Sequence, residues 1–422
     1  MAVAAEKKTP KLKIHRRILP NGTILLAARN RAAPTLAVVA SVEVGRMVEK
    51  RGEEGYAHLV GAALAEGTER YDGDALAVTV EGAGGHLSTS SQGAAVQFAA
   101  SDLPLAVRVL AEVVQRPSFP DAAVERIKAL TAAEIQSERD DAQTVASYAF
   151  RAKVYGSYPL GRPPKGTLES VAKATPDKLR AFHARWYTPG RTIVTGVGDV
   201  EPKRMLDSLE RAFRPWKASE HPDPEVVEPE LPAKAVREHL EYDREQIQVY
   251  LGHLGIDRFD PDYYKLVVMD HILGSGPGFT SRIQKKLRDE KGLCYSVGAG
   301  MTNSAGLHRG LFTAYIGTSP GKEDGAIRGF LAEIRRIRET LPTRRELDDV
   351  KAYLTGSYVW ALERNAKLAQ FLIRCERYRL GDDYIARYPS LIRSVTAKDV
   401  RDAAAAHLFP NRTTCITLGR RG

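Results

Sequence analysis

Residues 53–68 read Glu-Glu-Gly-Tyr-Ala-His-Leu-Val-Gly-Ala-Ala-Leu-Ala-Glu-Gly-Thr, a pattern that predicts a helix opening after Gly55. The i, i+3, i+4 spacing puts His58, Gly61 and Ala62 on one face of it. An imidazole, a carboxylate and a second imidazole at those three offsets would hold a metal ion and take a proton from its bound water, the chemistry of amide hydrolysis. Only the first group is present. Gly61 cannot act as a base and Ala62 cannot ligate. As a solitary polar residue, His58 reads equally as a satisfied helix histidine.

A second segment keeps more chemistry. From Leu273 the chain runs Leu-Gly-Ser-Gly-Pro-Gly-Phe-Thr-Ser-Arg-Ile-Gln-Lys-Lys-Leu-Arg-Asp-Glu-Lys-Gly-Leu-Cys-Tyr-Ser-Val. The glycines Gly274, Gly276 and Gly278 form a loop that delivers a basic amphipathic helix, and Gly292 ends that helix before a strand. Arg288 falls in the last turn and Tyr295 opens the strand. A guanidinium and a phenol are hydrogen-bond donors of the kind that stabilise a developing oxyanion, although an arginine lying along its helix and a tyrosine anchoring a strand would look the same. The loop lacks the G-x-x-x-x-G-K-[ST] pattern of a phosphate cradle, so a substrate or partner contact is the expectation.

The elements around these residues are those of a folded, multi-domain chain. With 422 residues, 43% hydrophobic and 27% charged, there is enough apolar material for two cores. Cys294, Cys375 and Cys415 lie far apart and suggest neither a disulfide framework nor a cysteine zinc site. No run approaches the about 18 apolar residues of a membrane span. The polar N-terminus lacks a secretory apolar core, so the expected location is the cytoplasm, or the periplasm only if a leader has been removed. The net charge of +10 is spread over short Arg pairs, which argues against nucleic acid and leaves steering of an acidic partner.

Residues 216–234 are rich in Pro and Glu and follow neither structural period, marking an extended linker. The expected domains are therefore 1–215 and 235–422. Each half contains a helix start after a Pro-bearing segment, at Asp121–Gln136 and Arg344–Val359. Each also closes with an N-capped helix followed by a β-rich strand, Thr192–Gly198 in the first and Thr413–Gly419 in the second. Further strands are expected at Thr23–Ala28, Leu36–Val44, Ala94–Ala99, Ile247–Gly252 and Gly310–Ile316. The glycine turn Gly82–Gly85 leads into an edge-strand candidate containing Ser88. The class is α+β, two duplicated domains. His183 and His271 read as packing residues.

These features resemble the pitrilysin-like zinc peptidases of family M16. The match covers Pro20-Asn21-Gly22, Gly55, Ala57, His58, Gly67 with Thr68, and Tyr158 to Pro163, and the similarity runs from about Arg17 to Gly419. The resemblance implies mitochondrial-processing-peptidase-like domains, each a mixed sheet with helices on one side. It implies that Glu134 stands where the third zinc ligand would be, and that Gly61 and Ala62 replace the base and the second histidine. It also implies that Arg288 and Tyr295 reach the zinc site of an N-terminal domain, and that the strand at Ser88 adds substrate to its sheet, with Ser88 in place of the usual Asn. Some bacterial members pair a metal-bearing chain with one bearing Arg and Tyr, and this chain resembles the second. The expectation is a zinc-free subunit, inactive alone, that gives Arg288 and Tyr295 to an H-x-x-E-H partner holding the zinc and so contributes to peptide hydrolysis. The alternatives are a scaffold or peptide-binding protein with no catalytic role, and an autonomous peptidase with an unforeseen ligand set.

Overall fold

The computed structural model describes residues 12–218, 223–277 and 280–420. Gly278, expected in the glycine loop, lies outside the described residues. The first half supplies β1 (Ile14–Ile18), β2 (Ile24–Arg29), β3 (Thr35–Val42), α1 (Tyr56–Ala63), α2 (Gly73–Glu81), β4 (His86–Ser90) and β5 (Gly93–Ala99). After these come α3 (Leu103–Gln115), α4 (Asp121–Asp140), α5 (Ala142–Tyr155), α6 (Leu168–Ala172), α7 (Pro176–Trp186), β6 (Thr192–Gly198) and α8 (Pro202–Phe213). The second half supplies β7 (Val236–Glu241), β8 (Ile247–Leu254), α9 (Tyr263–Asp270), β9 (Val297–Gly300), β10 (Leu311–Thr318), α10 (Glu323–Glu339) and α11 (Arg344–Ser357). It ends with α12 (Asn365–Arg377), α13 (Tyr384–Ser394), α14 (Ala397–His407) and β11 (Thr414–Gly419).

The duplication read from weak sequence repeats is explicit in the sheets. Their orders are β1-β2-β6-β3-β5-β4 and β7-β11-β8-β10-β9. In each, one parallel pair (β2 with β6, β7 with β11) is followed by three antiparallel pairings. Apart from β1, strand matches strand, and β4 and β9 are the equivalent edges. The terminal helix-strand units are built as expected, with Thr175 and Thr396 capping α7 and α14 through their hydroxyls.

Side-chain alternation shows how each sheet is covered. In β3, Leu36, Val38, Ala40 and Val42 join the core under the helix layer of the first unit, where α3 places its stripe Leu103, Ala106, Val107, Leu110, Val113 and Val114. Each such fully buried Leu contributes about 1.5–3 kcal/mol. The alternate residues Ala37, Val39 and Ser41 face the other way, toward α12. The second sheet repeats this: Ile247, Val249 and Leu251 enter its core, while Tyr250 stacks on Phe150 of α5 at 5.9 Å. The expected helix layer is thus accompanied, on the opposite face, by one helix contributed by the other half of the chain.

This exchange shapes the compact units. Contacts group residues up to Gln136 with Arg162–Glu225 and Tyr358–Ile385 as one unit, and Ser137–Gly161 with Val226–Ser357 and the chain from Ala386 as the other. The stretch 216–234 separates the two sheets in sequence. It does not separate the packed units, because α5 and α12, equivalent helices that follow α4 and α11, each lie on the sheet of the opposite half.

Candidate functional site

Local backbone contacts bring the residues of the altered metal helix together. Gly55 stands before α1 with φ 88°, and a Cβ there would lie 2.3 Å from the carbonyl oxygen of Lys165. Gly166 meets the carbonyl of Glu54 in the same way, at 2.1 Å. Glycine is required at both places because two chain segments touch. The Lys165 side chain then reaches Glu134 on α4, Nζ to Oε2 2.7 Å. Its hydrogen bond, aided by the charges of Lys165 and His58, holds the Glu134 carboxyl below the ordinary carboxylate range.

The N-terminus of α1 is held by Glu49, which is 2% exposed. One carboxylate oxygen accepts the N–H of Ala57 at 2.9 Å, and the other is buried without a hydrogen-bond partner. Burial pushes this carboxyl up to about 7, against the opposing pull of the Ala57 and Gly55 N–H groups and of Arg46 and Arg162.

These groups do not suit a catalytic zinc. Such an ion takes three protein ligands and an open position. Here His58, half-buried on α1, offers one nitrogen, Glu134 is already neutralised by an ammonium, and Gly61 and Ala62 offer nothing. Packing closes the space as well. A Cβ on Gly61 would lie 2.3 Å from Ser91 N and 2.4 Å from Ser90 C, so the helix rests directly on the backbone of the turn after β4. No side chain fits where a base would stand.

The other constellation is differently built. Arg288 lies in a π-helical segment, Gln284–Glu290, that ends where Gly292 takes φ 58° and donates to the Arg288 carbonyl at 3.0 Å. The Arg288 guanidinium sits over the Tyr295 ring, 5.4 Å from its centroid, a cation–π arrangement. Tyr295 is 84% exposed. It lies in the connection two residues ahead of β9 rather than in the strand, so the expectation that it opens the strand is corrected. The segment is anchored through Arg282, 8% exposed, whose Nε and Nη2 donate to Glu346 at 2.6 and 3.0 Å. Burial would raise the Glu346 carboxyl, but Arg282 and Thr343 outweigh it and hold the group at about 2.

The glycine loop has packing reasons of its own. A Cβ on Gly274 would lie 2.4 Å from Ala299 N, so this glycine seats the turn 271–275 against β9. Gly276 is similarly tight against the His271 carbonyl, 2.6 Å. Ser88 lies exposed in the middle of edge strand β4. His183 is buried, bonded to the Val114 carbonyl at 2.9 Å, and burial pulls its pKa down to about 4. His271 bonds the Val267 carbonyl at 2.8 Å.

One group that sequence spacing cannot reveal is Asp260, Asp262 and His407, whose ligand atoms lie within 4.8 Å of one another. His407 Nε2 is 3.0 Å from Asp262, and Lys265 binds the same carboxylate at 2.7 Å. Lys265 already pairs with Asp262, and the His407 ring is hydrogen-bonded to the same carboxylate, so the group is a polar network with its own partners. Among the described residues no helix is long and apolar enough to cross a membrane.

Comparison with known proteins agrees with this architecture. Two family models match consecutive stretches: insulinase (peptidase family M16) over residues 24–167, and the peptidase M16 inactive domain over 173–354. The chain belongs to the M16 family of peptidase-like proteins. Among curated M16 relatives, an uncharacterized zinc protease of Streptomyces coelicolor is 25% identical over 96% of this chain and 89% of its own length. One of Mycobacterium tuberculosis is 28% identical over 96% and 93%. The crystal structure of a peptidase M16 inactive domain from Pseudomonas fluorescens superposes with a TM-score of 0.89 at 26% identity, covering 97% of this chain and 99% of that one. A protease from Helicobacter pylori shares the fold, with a TM-score of 0.87 at 18% identity over 96% and 99%.

Proposed function

We propose that this M16 chain is the zinc-free subunit of a two-chain peptidase, inactive alone, that gives Arg288 and Tyr295 to the active site of an H-x-x-E-H partner holding the zinc. The observation that carries the reading is the unequal state of the two constellations. The α1 site has no base, one imidazole and a carboxylate paired with Lys165, whereas the guanidinium of Arg288 stands beside an exposed phenol. In the complex the two donors would meet the carbonyl oxygen of the scissile peptide as negative charge builds on it. Assembly in a bacterial cytoplasm belongs to the same proposal.

The test is reconstitution. The purified chain, mixed with an H-x-x-E-H relative from its own cell, should turn over a peptide that neither chain cleaves alone, and Arg288→Ala or Tyr295→Phe should remove most of that turnover without preventing assembly. Full turnover with both variants would leave the second reading, a scaffold or peptide-binding protein of the same fold.

A further inference from the structure

Within the first unit α3 lies against α8, and a groove of about 340 Å³ runs between the outward parts of the two helices, at the small end of the range of ligand pockets. Along α3 the residues Arg108, Glu112 and Arg116 line it at one-turn spacing, positive, negative and positive. From the opposite wall α8 adds Ser208 and Arg211. None of these residues belongs to the α1 group, to the strand at Ser88 or to the Arg288 segment.

The acid at the centre is the unusual member. Glu112 is 8% exposed and is the one carboxylate lining the groove among the described residues. Arg116 holds its Oε1 loosely, at 3.5 Å, while also leaning toward Glu69 at 3.9 Å. The Glu112 Oε2 is buried without a hydrogen-bond partner. Around it the guanidiniums are underused. The exposed Arg108 makes no ion pair among the described residues, and Arg211 donates through Nη2 to the Ser208 hydroxyl at 3.1 Å.

An acceptor that lacks a donor therefore stands among donors that lack acceptors. A simple cation drawn to Glu112 would meet three arginines, and a polyanion drawn to the arginines would meet Glu112. A small body carrying both an ammonium and a carboxylate satisfies each group, the ammonium on the buried oxygen and the carboxylate in a guanidinium fork. The half-exposed Arg116 side chain, with its long contact to Glu112, can turn outward to admit the ammonium. Between the charges the floor is apolar, formed by Val107, Ala111 and Ala212, and Gln115 ties the two helices by donating to the Ala212 carbonyl at 3.1 Å.

We propose that this groove binds a free α-amino acid with an apolar side chain. Its ammonium takes the place of Arg116 at Glu112, its carboxylate crosses the groove to Arg211, and its side chain covers Val107, Ala111 and Ala212. The inference goes beyond the proposed function and depends neither on a metal-bearing partner nor on the Arg288 pair.

Isothermal titration calorimetry of the full-length chain tests it with three ligands of one shape: L-leucine, L-leucinamide, which lacks the carboxylate, and the α-keto acid of leucine, which lacks the ammonium. Leucine should bind at least ~10-fold tighter than either. Glu112→Gln, which keeps the shape of the side chain, should abolish the advantage of leucine over the keto acid. Arg211→Ala, a change on an exposed residue, should abolish its advantage over leucinamide, and this variant decides the matter if Glu112→Gln does not fold. Absence of saturable heat from leucine at tens of millimolar, equal binding of the three ligands, or an unaltered order in the variants would overturn the proposal. Inorganic phosphate displacing leucine equally well from the parent and from Glu112→Gln would also overturn it, leaving a plain cluster of arginines.

Discussion

The duplicated architecture offers two equivalent regions for comparison, the segment α1 to β4 in one half and α9 to β9 in the other, and they are built in opposite ways. Around α1, atoms fill the space that catalysis would need: the Gly61 Cα faces the Ser90–Ser91 backbone, Lys165 sits on Glu134, and Glu49 is buried beneath the helix start. Ahead of β9, a guanidinium and a phenol stay together with the phenol turned to solvent. The difference is one of packing. A close-packed contact cannot take back a lost side chain without moving the backbone, whereas an exposed pair needs only a surface to meet.

The contrast is most severely tested by turnover. In the reconstituted complex Arg288→Ala should lower kcat by about 100-fold or more, the loss expected on removing one oxyanion donor; steady-state kinetics showing less than a few-fold change would erase the contrast between the regions. Next in size is the attempt to rebuild the other site. Gly61→Glu with Ala62→His should destabilise the chain by about 4–5 kcal/mol in denaturant melts, because a charged side chain is forced into backbone. A folded double variant carrying one equivalent of zinc by metal analysis would show that the site is open after all.

Arg282→Ala should cost about 3 kcal/mol by leaving Glu346 half-buried without its partner, and it should also weaken the contribution of Arg288, which shares the same helical segment. A smaller effect comes from Glu49. Its folded carboxyl keeps a proton up to about pH 7, while the unfolded one loses it near 4.5. The folded state therefore binds the extra proton, and stability falls as pH rises through that window. Glu49→Gln removes the slope, so its melting temperature should gain on the parent from pH 5 to pH 7.5, by up to about 2–3 kcal/mol in stability. Parallel pH profiles would refute the assignment. Last, Lys165→Ala removes a partly exposed pair and should change stability by less than about 1 kcal/mol without creating a tight zinc site in equilibrium dialysis.

Much of this was legible in the residues. The β-rich stretches that became β3, β5, β8 and β10 and the N-capped helices ahead of β6 and β11 are local patterns, and local patterns survive into the fold. The repeat of helix starts after Pro117–Pro120 and Pro342 reflected a true duplication. Absence was legible too, since Gly61 and Ala62 carry no ligand atoms in any conformation. Less visible were β1 and β7, short strands at the sheet margins whose mixed burial leaves little alternation. Lys165 was not foreseen, because nothing local places it opposite Glu134; the contact comes from two glycines, Gly55 and Gly166, crossing at one point.

What the sequence determined by itself was chemical inventory and local form: which groups can ligate, donate or take a proton, and which stretches prefer helix or strand. Tertiary structure decided occupancy and exchange. It placed a lysine on Glu134, pressed α1 onto the turn at Ser90, and carried α5 and α12 onto the sheets of the opposite halves. Those outcomes depend on side chains far apart in the chain competing for the same volume, and exclusion of that kind is a property of the packed whole that no window of residues contains.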